Sequence, residues 1–205
     1  MRVLVLVVTL IVAFVVTTTQ PTSARQESNS GSELALQAQQ AQPPQTRTPD
    51  VIFVPTREPV RRAMLKLANV TKDDLVIDLG CGAGDIVVTA AKEFGARAIG
   101  VDIDPVRVKE ANENVTKNNV QDKVKIIQGD IFDPNLKLGD ATVVTLYLLP
   151  SLNAKLAPRL KKELKPGTRI VSHAFDMMQA EPPWPAEKTQ EVDGANIYLW
   201  TIPKR

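Results

Sequence analysis

Leu75-Val76-Ile77-Asp78-Leu79-Gly80-Cys81-Gly82-Ala83-Gly84-Asp85 is the stretch whose reading decides the fold. An apolar strand, Leu75–Asp78, runs into three alternate glycines, and a helical pattern begins at Ile86. Glycines at a strand-to-helix turn let the backbone approach a ligand closely and present amide groups and a helix N-terminus to it. A second short apolar strand, Ala98-Ile99-Gly100-Val101, ends in Asp102. The spacing from Gly84 to Asp102 leaves room for one helix and the return to an adjacent parallel strand. A carboxylate there is placed to accept hydrogen bonds from both hydroxyls of a ribose. Turn and acid together imply a site for a nucleoside-containing cofactor.

The pattern continues outward on both sides. Arg57–Ala68 carries an apolar helical face (Val60, Met64, Leu65, Leu67) and is expected to precede the first strand and cover the pocket. Ile86–Phe94 reads as the first crossover helix, ended by Gly95, and Arg97–Val101 as strand two. Asp104 and Pro105 start the next helix as cap and first residue, and it runs to about Asn118. Val124–Gln128, Ala141–Leu148 and Thr168–Ala174 are strands three to five, with a helix over Ser151–Leu164 in which Pro158 is a candidate break. Asn196–Ile202 makes a last strand, paired with one around Thr189–Val192. This alternation predicts an α/β fold: a Rossmann-like, doubly wound, mostly parallel seven-stranded sheet with an antiparallel edge strand.

Composition bounds the rest. Of 25 Lys and Arg and 23 Asp and Glu, three of each fall in residues 1–50, which leaves 22 against 20 in 51–205. That balance gives no electrostatic footprint for nucleic acid. Cys81 is the single cysteine, so intramolecular disulfides and multi-cysteine metal sites are excluded, and it reads as a small residue in the turn. Val3–Val16 is an apolar run interrupted only by Thr9, short for a membrane span and right for the core of a signal peptide. Residues 1–25 therefore read as a signal peptide or N-terminal membrane anchor, 26–50 as a disordered linker rich in Gln, Ser, Ala and Pro, and 51–205 as the catalytic domain. A membrane-associated or exported protein is expected, with the side of the membrane left open.

Ligands in open parallel sheets sit beyond the carboxyl ends of the strands. A dinucleotide fingerprint would place its third glycine at position 85, where Asp85 would repel a pyrophosphate. The spacing instead resembles motif I of the class I S-adenosylmethionine-dependent methyltransferases. That cofactor lacks phosphate and carries a cationic sulfonium, which acidic surroundings suit. The candidate cofactor residues are Asp78, Gly80, Gly82, Gly84, Asp102, Ile103, Asp130 and Ile131. Asp78 orders the turn or reaches the cofactor's amino group through water. Asp130 is expected to accept the adenine amine, with the Ile131 amide beside it; its alternative is a turn or cap residue. Ile103 and Phe132 are expected to supply apolar walls. No metal is expected, because Asp140 lies at the wrong end of strand four. An Asn/Asp-Pro-Pro-aromatic motif is missing after that strand, which argues against adenine in DNA or a glutamine amide as acceptor.

Phe53-Val54-Pro55-Thr56, the glycine turn, Tyr147-Leu148-Leu149-Pro150-Ser151 and Arg169-Ile170-Val171-Ser172 narrow the resemblance further. Over residues 51–205 the chain is similar to the adenine nucleotide translocase and ATP synthase c-subunit lysine methyltransferases and their bacterial relatives. Ala83-Gly84-Asp85 stands where that family commonly has Asp-Gly-Arg. The resemblance implies methyl transfer to a protein lysine, often at a membrane, here through residues 3–16. A lysine ε-ammonium, with pKa near about 10.4, must lose its proton before it can attack. Tyr147, Pro150 and Thr56 are the candidates for positioning the amine. His173, the single histidine, reads either as a general base or as a hydrogen-bonded residue packing the pocket edge. Trp184 and Trp200 read as core or rim aromatics rather than a cation cage. A small-molecule methyltransferase and a non-catalytic cofactor-binding protein are the competing expectations.

Overall fold

The computed structural model describes residues 53–204; the expected signal or anchor segment and linker lie outside the described residues. Seven strands form one sheet in the order β3-β2-β1-β4-β5-β7-β6. They are β1 (Leu75–Leu79), β2 (Arg97–Asp102), β3 (Val124–Gln128), β4 (Val143–Leu146), β5 (Arg169–His173), β6 (Lys188–Val192) and β7 (Ala195–Thr201). The first five are parallel, and β7 runs against β5 and against β6, which completes the expected antiparallel edge. Thr201 pairs with Arg169, so β7 finishes beside the start of β5, at the amino ends of the parallel strands. The order reverses between β1 and β4, and a ligand crevice forms at such a switch point.

Among the described residues four helices connect and cover the strands: α1 (Glu58–Leu67), α2 (Asp85–Phe94), α3 (Pro105–Lys117) and α4 (Pro150–Glu163). Their ends follow local chemistry. Gly84 and Gly95 flank α2 in the left-handed conformation, at φ +76° and +73°. The Asp104 side chain accepts from the Val106 amide at 2.8 Å to open α3, with Pro105 at its first position. Pro158 does not break α4, which is continuous through it. The lost backbone hydrogen bond is offset because Leu156, Ala157 and Leu160, on both sides of the proline, are buried against the sheet.

Strand alternation distributes the core over two faces. On one face Val76, Ala98, Val143 and Val171 pack with Val60, Met64 and Leu65 of α1 and the apolar side of α2. On the other, Ile77, Leu79, Val144 and Ile170 pack with α4 and Trp200. Helix α1 therefore lies on the sheet rather than over the pocket, contrary to the expectation, and the segment before it takes that place. Trp200 is fully buried and its indole N–H donates to the Trp184 carbonyl at 3.0 Å, while Lys161 lies over the Trp184 ring. Trp200→Ala is expected to cost about 3–5 kcal/mol, read as a fall in Tm of roughly 10 °C or more. A loss below 1 kcal/mol would remove Trp200 from the core.

Candidate active site

A cleft lies beyond the carboxyl ends of β1, β2, β3 and β4. Its walls include Asp78, Gly80, Cys81, Asp85, Asp102, Ile103, Asp104, Asp130, Ile131, Tyr147 and Leu148, and Phe53–Thr56 closes one side. The glycine turn shapes the floor, with Gly80, Gly82 and Gly84 all at positive φ. Gly82 answers a second demand: a Cβ there would stand 2.1 Å from the Phe53 ring. The Phe53 ring seats on that bare backbone, and the Arg107 guanidinium lies 4.7 Å from its centroid on another side.

Asp102 ties the turn to β2. Its Oδ2 accepts from the Gly82 amide at 2.8 Å and its Oδ1 from the Asp104 amide at 3.0 Å. Each oxygen keeps a second lone pair, the acceptor capacity a ribose diol needs. Asp85 opens α2 and is held by the Asn114 side-chain amide at 3.2 Å, which also donates to the Ala83 carbonyl at 2.9 Å. Asp130 accepts from the Phe132 amide at 2.8 Å, so it is both a turn residue and a cleft residue.

Asp78 is the most perturbed of these acids. It pairs in register with Thr145, whose hydroxyl donates to it at 2.6 Å, and it is 2% exposed. Burial pushes its pKa from the ordinary 3.8 to about 7, with the nearby Asp102 and Asp85 carboxylates adding to the rise. A cationic ligand would reverse that repulsion. Burial likewise pushes the Cys81 thiol up, which removes it as a nucleophile.

The structure brings together Asp78, Gly80, Asp102, Ile103, Asp130, Ile131, Thr56 and Tyr147 in one lining. It does not bring Gly82, Gly84, Pro150, His173 or Phe132 into it. Gly82 and Gly84 serve the turn. Pro150 is the first residue of α4, where its missing N–H costs nothing. The Phe132 ring instead lies under the Lys155 ammonium, 4.0 Å from its centroid. His173 is 7% exposed behind the wall: its Nδ1 is 3.2 Å from the Thr56 hydroxyl, and its ring stands 3.8 Å from that of Tyr147. Burial, then Arg57, hold its pKa below the usual value. Sequence reasoning missed Asp85, Asp104, Arg107 and Leu152 as cleft residues. It also missed Asn153, which is fully buried and donates to the Ser172 hydroxyl and the Phe175 and Asp176 carbonyls.

Carboxylates at the ends of three adjacent strands, a left-handed glycine turn and apolar walls between them fit a ligand with a ribose, a flat base and a positive charge. That combination defines an S-adenosylmethionine-dependent methyltransferase. The match is narrower than the class: residues 78–184 fit the family model described as the ANTKMT methyltransferase domain, and the chain belongs to that family. It is 44% identical to a protein-lysine N-methyltransferase of Saccharolobus islandicus, over 75% of this chain and 95% of that one. The solved structure of an RNA methyltransferase from Salinibacter ruber, in complex with S-adenosyl-L-homocysteine, is 47% identical with a TM-score of 0.70 and covers 74% of this chain and 95% of that one. A ribosomal protein L11 methyltransferase of Thermus thermophilus is 35% identical, but the match spans 56% of this chain and 44% of that protein.

Proposed function

We propose that this enzyme methylates the ε-amine of protein lysines. The observation that carries the reading is the wall made by Tyr147 and Thr56, which faces the same cleft as the acids of the glycine turn. The large apolar residues that remain exposed among the described residues are Phe53, Val54, Val106, Leu149 and Met178. All five belong to segments at the carboxyl end of the parallel strands, where a macromolecular acceptor would dock. The Saccharolobus relative's name supports the same acceptor.

S-adenosylmethionine, when bound, supplies an electrophilic methyl group on its sulfonium. Asp102 would hold the ribose hydroxyls, Asp130 with the Ile131 amide the adenine edge, and Ile103 and Ile131 the faces of the base. Asp85 and Asp78 would favour its positive charge. On the acceptor side, the Thr56 and Tyr147 wall would exclude water from the incoming ammonium, which lowers its pKa and releases the proton to solvent. Positioning then does most of the remaining work. We also propose that residues 3–16 bring the domain to a membrane, as their apolar composition suggests.

The description of the Salinibacter protein favours RNA as a second reading. The near-balanced charge of residues 51–205 weighs against a polyanion. The test is methyl transfer by the full chain from tritiated S-adenosylmethionine into protein and RNA extracts. Label that hydrolyses to methyl-lysine supports the proposal, whereas label confined to RNA or to small molecules overturns it. Tyr147→Ala is expected to keep S-adenosylhomocysteine affinity within about twofold and to cut turnover roughly 10²-fold, the scale of a misplaced acceptor. Full turnover in that variant would remove Tyr147 from the acceptor wall.

A further inference from the structure

The segment Phe53–Thr56 and the ring of Tyr147 both line the cleft, yet they lie far apart in the sequence. His173 stands behind both and touches each. Its Nδ1 meets the Thr56 hydroxyl at 3.2 Å, and its ring lies 3.8 Å from that of Tyr147 at 35°. Phe175 continues the array, 6.4 Å from Tyr147 and stacked at 23°. The turn that carries His173 is fixed from outside the cleft. Ala174 sits at φ +63° and its amide donates to the Asn196 carbonyl at 2.8 Å. The Ser172 hydroxyl donates to the Phe175 carbonyl at 2.6 Å, and Asn153 reaches the same carbonyl at 3.2 Å. Past Thr56, Arg57 pairs with Asp193 in the β6–β7 turn at 2.6 Å.

We infer that His173 is a positioning residue that fastens the Phe53–Thr56 strap to the Tyr147 ring, so that the two halves of the acceptor wall move as one. It stands outside the cleft lining and acts on the acceptor through Thr56 and Tyr147. The strap has no secondary structure of its own. Without the link, the anchors left to the strap are the Phe53 seat on Gly82, the Arg61 bond to the Thr56 carbonyl at 3.2 Å and the Arg57–Asp193 pair. None of them ties Thr56 to Tyr147, so the wall that desolvates the amine loosens. The inference rests on the assignment of Tyr147 and Thr56 to the acceptor side. Its geometric part holds whichever acceptor is used.

The test compares His173→Phe, Thr56→Val and the double variant with wild type. His173→Phe keeps an aromatic ring beside Tyr147 and removes the hydrogen bond; Thr56→Val removes the same bond from the other side. Each single change is expected to lower kcat/KM for the acceptor about tenfold, the scale of one buried hydrogen bond. The double variant is expected to lose no more than either single, and S-adenosylhomocysteine affinity to stay unchanged. A general base would behave otherwise: His173→Phe alone would collapse kcat and flatten the rising limb of the pH–rate profile. That result overturns the inference, as does full additivity of the two changes.

A measurement without turnover separates this inference from the lysine reading. Tyr147 is one of only two tyrosines, so its ring resonances in S-adenosylhomocysteine-loaded protein are assigned by Tyr147→Phe. Thr56→Val is expected to shift or broaden them although Thr56 reaches Tyr147 through His173. Unchanged resonances overturn the link even if lysine methylation is observed. Shifted resonances with no methyl-lysine leave the link standing and sink the acceptor assignment.

Discussion

Asp102→Ala is expected to weaken S-adenosylhomocysteine binding at least about 100-fold, the largest loss for any single side chain in the cleft. On the proposed ribose contact, two hydrogen bonds from hydroxyls to this carboxylate are at stake, each worth roughly 1.5–3 kcal/mol. The same carboxylate also fastens the Gly82 and Asp104 amides, so its removal loosens the turn that frames the ligand. Asp102→Asn restores one acceptor and should recover part of the affinity. Isothermal titration alongside a melting curve separates lost ligand contacts from lost fold. Equal affinity in wild type and Asp102→Ala would take the ribose away from this acid.

Asp78→Asn should stabilise the ligand-free protein while weakening its grip on the cofactor. The folded-state pKa of Asp78 lies above its ordinary value, at about 7 against 3.8. At low pH both folded and unfolded chains carry the proton, and no penalty exists. As pH rises from about 4 to 7 the unfolded chain ionises first, and stability falls until the folded group has ionised too. Above that window the cost is constant, on the order of 4 kcal/mol. Asparagine still accepts from Thr145 and cannot ionise, so the Tm advantage of the variant should open between pH 4 and 7 and then stay level. A difference that does not vary with pH would show that Asp78 is not held protonated. With a cationic ligand bound, the carboxylate becomes useful, and wild type should bind more tightly as pH rises through 7.

The parts of this design written into local sequence were legible, and the parts made by distant contacts were not. The glycine turn, the acids closing β1 and β2, and the Asp104–Pro105 start of α3 each follow from a few adjacent residues. Their strands are short apolar runs buried on both faces, so their pattern survives without tertiary knowledge. The apolar run Ala141–Leu148 outlasts β4 (Val143–Leu146), because Ala141 and Leu148 are buried by packing and not by the ladder. The strap shows no period, and its place over the cleft depends on Phe53 finding Gly82 across 29 positions. Pro158 reads as a break because its local cost is visible, whereas the buried neighbours that keep α4 continuous belong to the tertiary core. Asn153 resembles a surface residue in its helix; only the carbonyls of the turn after β5 explain why it is buried.

The strand that finishes beside the start of β5 also has a practical side. Thr201 stands at the amino ends of the parallel strands, whereas the cleft opens at their carboxyl ends. A dye, a resin or a second protein joined after Ile202 would therefore sit a full strand length from the mouth. Immobilised through that end, the enzyme would offer its cleft to bulky acceptors in free solution, a geometry suited to screening whole extracts on a surface.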